Sequence, residues 1–205
     1  MIVGVTGGIG AGKSSVCRVF EAGGALVVDA DRVGHETVDD AEVIRELTAA
    51  FGADLLDGEG RLIRRELGRR AFISEASRQK LNAIVWPALD RRLRGRVQEA
   101  LRECPERPVV IDAPLLLEWG RSEGLYDILV VVTAPKEVRM ERAAARLGIT
   151  RTEAEARMAW QLPDEEKARA ADYVIVNDGS LGEVEERARA VWQQIRGKCA
   201  RDGQG

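Results

Sequence analysis

The first fourteen residues constrain the fold of this chain more than any other stretch. The apolar run Met1–Thr6 is followed by G-G-I-G-A-G-K-S, in which Gly7, Gly12, Lys13 and Ser14 match the pattern G-x-x-x-x-G-K-[ST]. Glycines let the backbone curl so that its N–H groups point inward at phosphate oxygens, and the following helix adds its positive N-terminal end. The lysine supplies a charge for the β- and γ-phosphates, and the serine hydroxyl can ligate Mg²⁺. The pattern therefore predicts a nucleotide-phosphate loop between a strand and a helix.

The rest of the chain alternates short apolar runs with helical patterns. Five runs of four to six residues are rich in β-branched side chains, as in strands buried on both faces: Ile2–Thr6, Ala25–Asp29, Val109–Asp112, Ile128–Thr133 and Tyr173–Asn177. This alternation predicts a parallel α/β sheet with right-handed crossovers and a ligand site at the carboxyl ends of its strands. Together with the phosphate loop, it predicts an α/β protein of the P-loop NTPase class, with a five-stranded parallel sheet in a three-layer α/β/α arrangement.

The interval between the second and third runs is too long for a simple crossover. Residues 32–107 contain several helical patterns, the last of them with Pro87 inside it: Ala41–Phe51, Arg65–Ile73 and Ser77–Cys104. We expect an inserted helical subdomain here, within a single domain over residues 1–200. Residues 201–205 have the composition of a frayed tail.

The interval after the fourth run, residues 136–168, predicts a helical lid that breaks at Pro163. A helix inside it is expected to begin at Thr152, because Thr152 and Glu155 have the spacing of a capping box. Three arginines share one face of the first lid helix: Arg139, Arg142 and Arg146. Like charges on one face repel each other unless nearby anions neutralise them. The stripe is either a solvated surface or a set of groups that closes over a polyphosphate.

Three aspartates lie at the ends of two predicted strands. The two-residue spacing of Asp29 and Asp31 would place both carboxylates on the same side of the second strand. Phosphoryl transfer needs a group that orients the acceptor hydroxyl and takes its proton, a role we assign to Asp31 with Asp29 in support. The alternative is that one of them caps a helix starting near Arg32. Asp112 ends the run V-V-I-D, a pattern typical of an acidic residue that holds Mg²⁺, although buried strands often end in Asp.

Composition argues against several classes of function. The net charge of −3 disfavours general nucleic-acid or membrane binding, and no stretch approaches the ~20 apolar residues of a membrane span. The single histidine, His35, excludes a multi-histidine metal site, and the three cysteines lack the C-x-x-C spacing of a zinc site. We expect a cytoplasmic protein, monomeric or weakly homo-oligomeric, whose partners are small molecules, with no nucleic acid and no membrane among them.

Six blocks, taken in chain order, point to one family: Gly4–Ser15, Val27–Asp31, Phe51–Leu67, Asp112–Glu118, the lid stretch from Arg139 through Gln161 to Lys167, and Ala171–Gly179. In this order they closely resemble the dephospho-coenzyme A kinase family over about residues 2 to 195. The phosphate loop alone is shared by many kinases, whereas the ordered set is specific. The resemblance departs at two positions in the insertion: Trp86 precedes Pro87 where the family usually has His, and Ile63 stands where it usually has Asp.

The resemblance implies transfer of the ATP γ-phosphate, with Mg²⁺, to the ribose 3′-hydroxyl of dephospho-coenzyme A, the last step of coenzyme A synthesis. It implies that the ATP phosphates are held by the loop residues Gly8, Gly10, Ala11, Gly12, Lys13, Ser14 and Ser15. Asp31 would be the base for the 3′-hydroxyl, and the insertion would bind the coenzyme moiety. Arg139 and Arg142 would close on ATP, with Arg142 and Lys13 acting on the transferring group, and Asn177 would lie near the adenine. Ser14 and Asp112 would hold the metal.

Two other functions stay open on the residues alone. One is a different small-molecule kinase of the nucleoside-monophosphate-kinase type. The other is a GTP-dependent switch, because Asp31-Arg32-Val33-Gly34 spells D-x-x-G. The chain has no Asn-Lys-x-Asp motif to read guanine, which argues against the switch.

Overall fold

The computed structural model describes residues 1–120 and 124–202. These residues form two compact units, one built from residues 1–29 together with the chain from residue 97 onward, and one from residues 30–96. Helices, numbered along the chain, are α1 (Lys13–Ala22), α2 (Ala30–Thr37), α3 (Ala41–Phe51), α4 (Arg64–Ala71), α5 (Glu75–Glu103), α6 (Lys136–Leu147), α7 (Arg151–Met158), α8 (Asp164–Ala170) and α9 (Leu181–Asp202).

A five-stranded parallel sheet forms the centre of the first unit. Its strands are β1 (Ile2–Thr6), β2 (Leu26–Asp29), β3 (Val109–Asp112), β4 (Ile128–Thr133) and β5 (Tyr173–Val176). Every neighbouring pair is parallel and the order is β2-β3-β1-β4-β5. The predicted fold class and all five predicted strands are confirmed, two of the strands being one residue shorter than the apolar runs. β3 lies between β1 and β2, so the two N-terminal strands are not direct neighbours.

Helices cover both faces of the sheet. On one face, Val3, Val5, Val110, Val130 and Ile175 are buried against α1 and α9. These residues alternate along the strands with residues that point the other way, as the two-residue period of a strand requires. On the opposite face, Val109, Ile111, Leu129 and Val131 are buried. The edge strand β5 is less covered there: Val174 and Val176 are 41% and 42% exposed and line a cavity together with side chains of α6–α8. The continuous apolar runs of the sequence thus match strands that are covered on both sides.

The second unit is helical and has a small core of its own. Val43, Leu47, Leu55 and Leu67, contributed by α3, a 3₁₀ turn (Ala53–Leu55) and α4, are buried together. Side chains from the first half of α5 pack against this core, so an apolar face of that helix is covered inside the unit. The helix continues through Pro87.

Two details of the predicted helices differ from the structure. The capping box was placed two residues too late: Thr150 is the N-cap of α7, its side chain accepts from the Glu153 N–H at 3.2 Å, and the Glu153 carboxylate accepts from the Thr150 N–H at 2.8 Å. The S/T-x-x-E spacing occurs twice in succession, and the structure uses the first copy, which begins two residues after Gly148 ends α6 in a left-handed conformation. At the C-terminus, α9 continues to Asp202, and residues 203–205 of the predicted tail lie outside the described residues.

No helix within residues 1–120 and 124–202 is both long and apolar enough to span a bilayer. Cys17 is a buried free thiol and Cys104 a partly buried one. The Cys199 side chain lies outside the described residues.

Candidate functional site at the phosphate loop

The loop between β1 and α1 has the conformation that its glycines predict. Gly10 (φ +77°) and Gly12 (φ +94°) occupy the left-handed region, which residues with a Cβ seldom enter. The Ala11 N–H donates to the Gly8 carbonyl at 3.0 Å and closes a tight turn inside the loop. Gly12 precedes α1 and has no side chain with which to cap it. The Ser15 N–H donates to the Gly12 carbonyl at 3.0 Å, whereas the N–H groups of Lys13 and Ser14 at the helix start can meet an anion.

Lys13 and Asp112 meet where β3 ends beside the loop. Lys13 Nζ lies 3.8 Å from Asp112 Oδ1, and the two side chains keep only 14% and 18% of their accessible surface. Low exposure strengthens the attraction between a lysine and a carboxylate compared with the same pair in water. An ammonium group and a carboxylate therefore lie together at the carboxyl end of the sheet, where ligands of parallel α/β proteins bind.

The segment of α6–α8 (residues 136–170) reaches back to the loop through two side chains. Arg139 Nε donates to the Ile9 carbonyl at 3.1 Å, and the Ile9 N–H donates to Gln161 Oε1 at 2.8 Å. Arg139 is buried, and its guanidinium pairs with Asp164 at 2.6 Å. Its side chain lies directly against Gly8. Arg139, which the sequence placed on a charged stripe, thus belongs to a buried ion pair and also donates a hydrogen bond to the loop backbone.

The rest of the stripe behaves differently. Arg142 is partly exposed, and its guanidinium is 3.4 Å from the Asn177 carbonyl oxygen, which is a weak hydrogen bond. Arg146 is exposed. This face of α6 therefore has a buried arginine, Arg139, beside the loop and an exposed arginine, Arg146, about two turns further along the helix.

Asn177 connects the end of β5 to the loop. The side chain is buried, and its Nδ2 donates to the Ala11 carbonyl at 2.8 Å. Its main-chain N–H continues the sheet by donating to Thr133 at 2.7 Å. An added Cβ on Gly12 would overlap the Asn177 amide. The described contacts of this side chain are therefore with the phosphate-loop backbone.

A buried ion pair lies behind the segment of α6–α8. Lys167 Nζ is 2.6 Å from Glu118 Oε1, with side-chain exposures of 0% and 10%. The same carboxylate oxygen accepts the Leu162 N–H at 3.0 Å. This pair joins α8 to the loop that follows β3, the strand that carries Asp112.

The two N-terminal aspartates do not share a strand face. Asp29 is the last residue of β2 and lies opposite Asp112 in the β2–β3 ladder. Asp31 is an exposed residue in the first turn of α2, because the helix begins directly after the strand at Ala30. The two-residue spacing argument was wrong for this reason: a helical turn, not an extended chain, sets the direction of the Asp31 side chain.

Cys17 lies on α1 below the loop. Burial raises the pKa of its thiol well above the usual value, and the neighbouring Asp112 carboxylate raises it further, against a smaller opposing effect of Lys13. The thiol therefore stays protonated at neutral pH, which makes it an inert packing group rather than a nucleophile.

Several residues of this site carried little signal in the sequence. Asp164, the partner of Arg139, follows Pro163, and its local sequence does not indicate this pairing. No local pattern indicated that Lys167 would be buried against Glu118 either. The acidic residues in and near the lid are visible in the sequence, but which of them pairs with which lid cation depends on tertiary packing.

The chain is similar to known proteins over nearly its whole length. A family model described as dephospho-CoA kinase matches residues 1–183. The chain is 43% identical over 195 residues to the dephospho-CoA kinase of Corynebacterium diphtheriae, an alignment that covers 95% of this chain and 96% of that protein.

Solved structures show the same relationship. The crystal structure of a Thermus thermophilus protein is similar with a TM-score of 0.77 and 35% identity, covering 95% of this chain and 97% of that one. The dephospho-CoA kinase of Campylobacter jejuni is similar with a TM-score of 0.71 and 26% identity, covering 95% and 96%. The likeness extends over nearly the whole length of each protein.

Proposed function

This chain belongs to the dephospho-CoA kinase family, and from that membership we propose that it transfers the γ-phosphoryl group of ATP to the ribose 3′-hydroxyl of dephospho-coenzyme A, giving coenzyme A and ADP. The observation that carries the proposal is the phosphate loop with Lys13 beside Asp112, at the carboxyl end of a parallel sheet, in a chain that matches the family over residues 1–183. Both parts are needed, because the loop alone is common to many nucleotide-binding proteins.

The loop supplies the ATP half of the reaction. The main-chain N–H groups of Gly10, Gly12, Lys13 and Ser14, and the Lys13 ammonium, would surround the β- and γ-phosphates. The Ser14 hydroxyl and the Asp112 carboxylate are hard oxygen donors of the kind that Mg²⁺ prefers, so this donor set fits the ion. When bound, Mg²⁺ would neutralise charge that develops on the phosphate oxygens. Lys13, already held near Asp112 at 3.8 Å, brings its charge to the same place.

Asp31 is the proposed base. The 3′-hydroxyl oxygen attacks the γ-phosphorus, the bond from that phosphorus to the β–γ bridging oxygen breaks, and the hydroxyl proton passes to the Asp31 carboxylate. Its exposed position in the first turn of α2 leaves the carboxylate accessible to an acceptor.

The arginines of α6 divide between two roles. Arg142 is partly exposed and makes only a long contact with the Asn177 carbonyl, which supports a role in stabilising the transferring charge. Arg139 is buried and paired with Asp164, and its contact with the Ile9 carbonyl supports an effect on ATP through the loop. The predicted closure of residues 136–168 as a lid, with Asn177 near the adenine, belongs to this proposal.

The helical unit of residues 30–96 is the proposed acceptor site. It contains a groove of about 500 Å³ lined by apolar side chains, among them Val43, Ile84 and Pro87, and by three acidic residues, Asp40, Glu42 and Glu46. Arg91 and Arg92 also line the groove, and Arg92 pairs with Asp40 at 3.1 Å. Apolar surface suits an uncharged acyl-amide arm, and arginines suit phosphate groups. Arg91→Ala should therefore raise the KM for dephospho-coenzyme A and leave the KM for ATP unchanged.

The experiment that tests the proposed function is a coupled ADP-release assay with four acceptors: dephospho-coenzyme A, AMP, CMP and shikimate. We expect turnover with dephospho-coenzyme A at least a hundredfold above the others. Turnover with a nucleoside monophosphate or shikimate, and none with dephospho-coenzyme A, would show that the chain is a different small-molecule kinase. Lys13→Ala serves as the control for ADP that comes from contaminating enzymes.

A further inference from the structure

The outer arm of the phosphate loop is held from one side by two side chains. Ile9 lies at its tip, and both main-chain polar groups of this residue are engaged by the segment of α6–α8. The N–H donates to Gln161 Oε1 at 2.8 Å, and the carbonyl accepts from Arg139 Nε at 3.1 Å. Two hydrogen bonds on one peptide residue restrict its rotation, so the path of the chain through Ile9 is set by residues about 130 and 152 positions away.

Hydrogen bonds on both sides of Gln161 fix the short connection between α7 and α8 to which it belongs. The next residue, Leu162, donates its N–H to Glu118 Oε1 at 3.0 Å, and Lys167 holds the same carboxylate oxygen at 2.6 Å. The Gln161 main-chain N–H donates to the Met158 carbonyl at 3.0 Å. The amide that reaches Ile9 therefore projects from a short connection anchored at both ends.

Resting on the proposed kinase function, we propose that Gln161 is a positioning residue for ATP: it acts through Ile9 to hold the phosphate loop in the shape that receives the triphosphate. Its neutral amide suits this place. A carboxylate could accept the same Ile9 N–H, but it would add a negative charge near the ATP polyanion and weaken its binding. Gln161 thus supplies an acceptor without repulsion, while Arg139 supplies the matching donor.

Gln161→Met removes the acceptor and keeps the length and most of the volume of the side chain. The Ile9 N–H then loses its partner and the loop samples other shapes. One uncharged hydrogen bond corresponds to an increase of about two- to tenfold in the Kd for ATP with Mg²⁺. The KM for dephospho-coenzyme A should stay within experimental error, because the acceptor does not contact the loop tip. The melting temperature should fall by no more than a few degrees, because only one hydrogen bond is lost.

The matched control is Glu155→Gln, also in the segment of α6–α8. It breaks the exposed Lys136–Glu155 pair, whose side chains keep 60% and 55% of their surface, and leaves the loop contacts intact. Both variants would be compared with the parent protein by isothermal titration with ATP in the absence of acceptor, and by amide hydrogen exchange of the loop peptide around Ile9.

The expected result is a weaker Kd for ATP and faster exchange of the loop peptide in Gln161→Met, with neither change in Glu155→Gln. An unchanged Kd for ATP, or a loss of affinity that both variants share, would overturn the inference. Exchange and ATP titration require no turnover, so their outcome is separate from the acceptor assay. A parent protein that binds ATP but does not phosphorylate dephospho-coenzyme A would refute the proposed function and leave the role of Gln161 at the loop intact.

Discussion

The Lys167–Glu118 pair gives the sharpest test of how the segment of α6–α8 is held. Its N–O distance of 2.6 Å is similar to that of many surface pairs in this protein, but its side chains are 0% and 10% exposed. The Arg151–Glu137 pair has nearly the same length, 2.7 Å, with exposures of 56% and 69%. Both pairs involve helices of the same segment, so they differ mainly in burial.

Burial decides the expected magnitude. Lys167→Met leaves the Glu118 carboxylate buried with the Leu162 N–H but no cation, and breaking a buried pair in this way costs about 3–5 kcal/mol of unfolding free energy. For a chain of this size that corresponds to a fall in melting temperature of roughly 6–20 °C. Arg151→Met breaks a solvated pair, for which the loss is under about 1 kcal/mol.

The measurement is urea unfolding of the parent protein, of Lys167→Met and of Arg151→Met, together with the double variant Glu118→Gln/Lys167→Met. In the double variant no charge is buried and the glutamine oxygen can still accept from Leu162, so most of the lost stability should return. Equal and small losses in Lys167→Met and Arg151→Met would refute the argument. Failure of the double variant to recover would show that packing of the lysine stem, rather than its charge, carries the stability.

Three further changes test other parts of the structure. Gly10→Ala places a Cβ at a left-handed φ of +77° against the main chain of Arg139, so we expect a loss of about 1–3 kcal/mol in unfolding free energy and weaker ATP binding by titration. Ile63→Asp provides α4 with an N-cap side chain that it lacks, at a position that is 39% exposed, and should add about 1 kcal/mol in urea unfolding, whereas Ile63→Ala should not. Hydrogen bonds from Arg69 and then Arg70 lower the pKa of Glu66 from 4.5 to about 2. The contribution of this carboxylate to stability is therefore complete above pH 4.5 and is lost as the pH falls toward 2. In thermal melts at pH 2 to 6, Glu66→Gln should reduce the fall in melting temperature toward low pH.

Local patterns predicted the sheet and the phosphate loop well because the relevant physics is local. A strand buried on both faces needs an uninterrupted β-branched run such as Ile128–Thr133, and that run is visible without knowing its neighbours. The curled loop needs glycine at Gly10 and Gly12, where the backbone is left-handed. Asp112 was expected at a strand end, and its position beside Lys13 follows from β3 pairing with β1.

Tertiary partners could not be predicted in the same way. The sequence placed Arg139 on a charged stripe, whereas the structure pairs it with Asp164 and with the Ile9 carbonyl. Ile9 lies 130 residues away in the chain. Asn177 reaches Ala11 across 166 residues. Such contacts depend on how two distant segments pack, and the residue type at one end does not specify the other. The two-residue spacing of Asp29 and Asp31 failed for a local reason, since the strand gives way to a helix between them.

We propose that the phosphate loop and Asp31 transfer a phosphoryl group from ATP to one hydroxyl of dephospho-coenzyme A. The most direct measurement is phosphorus NMR of the product, followed in time for the parent protein and for Asp31→Asn, with the Kd for ATP of each variant as the control. We expect a new phosphomonoester on the ribose 3′-oxygen. We also expect Asp31→Asn to form it about 10²–10⁴-fold more slowly at unchanged ATP affinity. A product phosphorylated elsewhere, or an Asp31→Asn variant that turns over at the parent rate, would refute the proposed roles of the phosphate loop and Asp31.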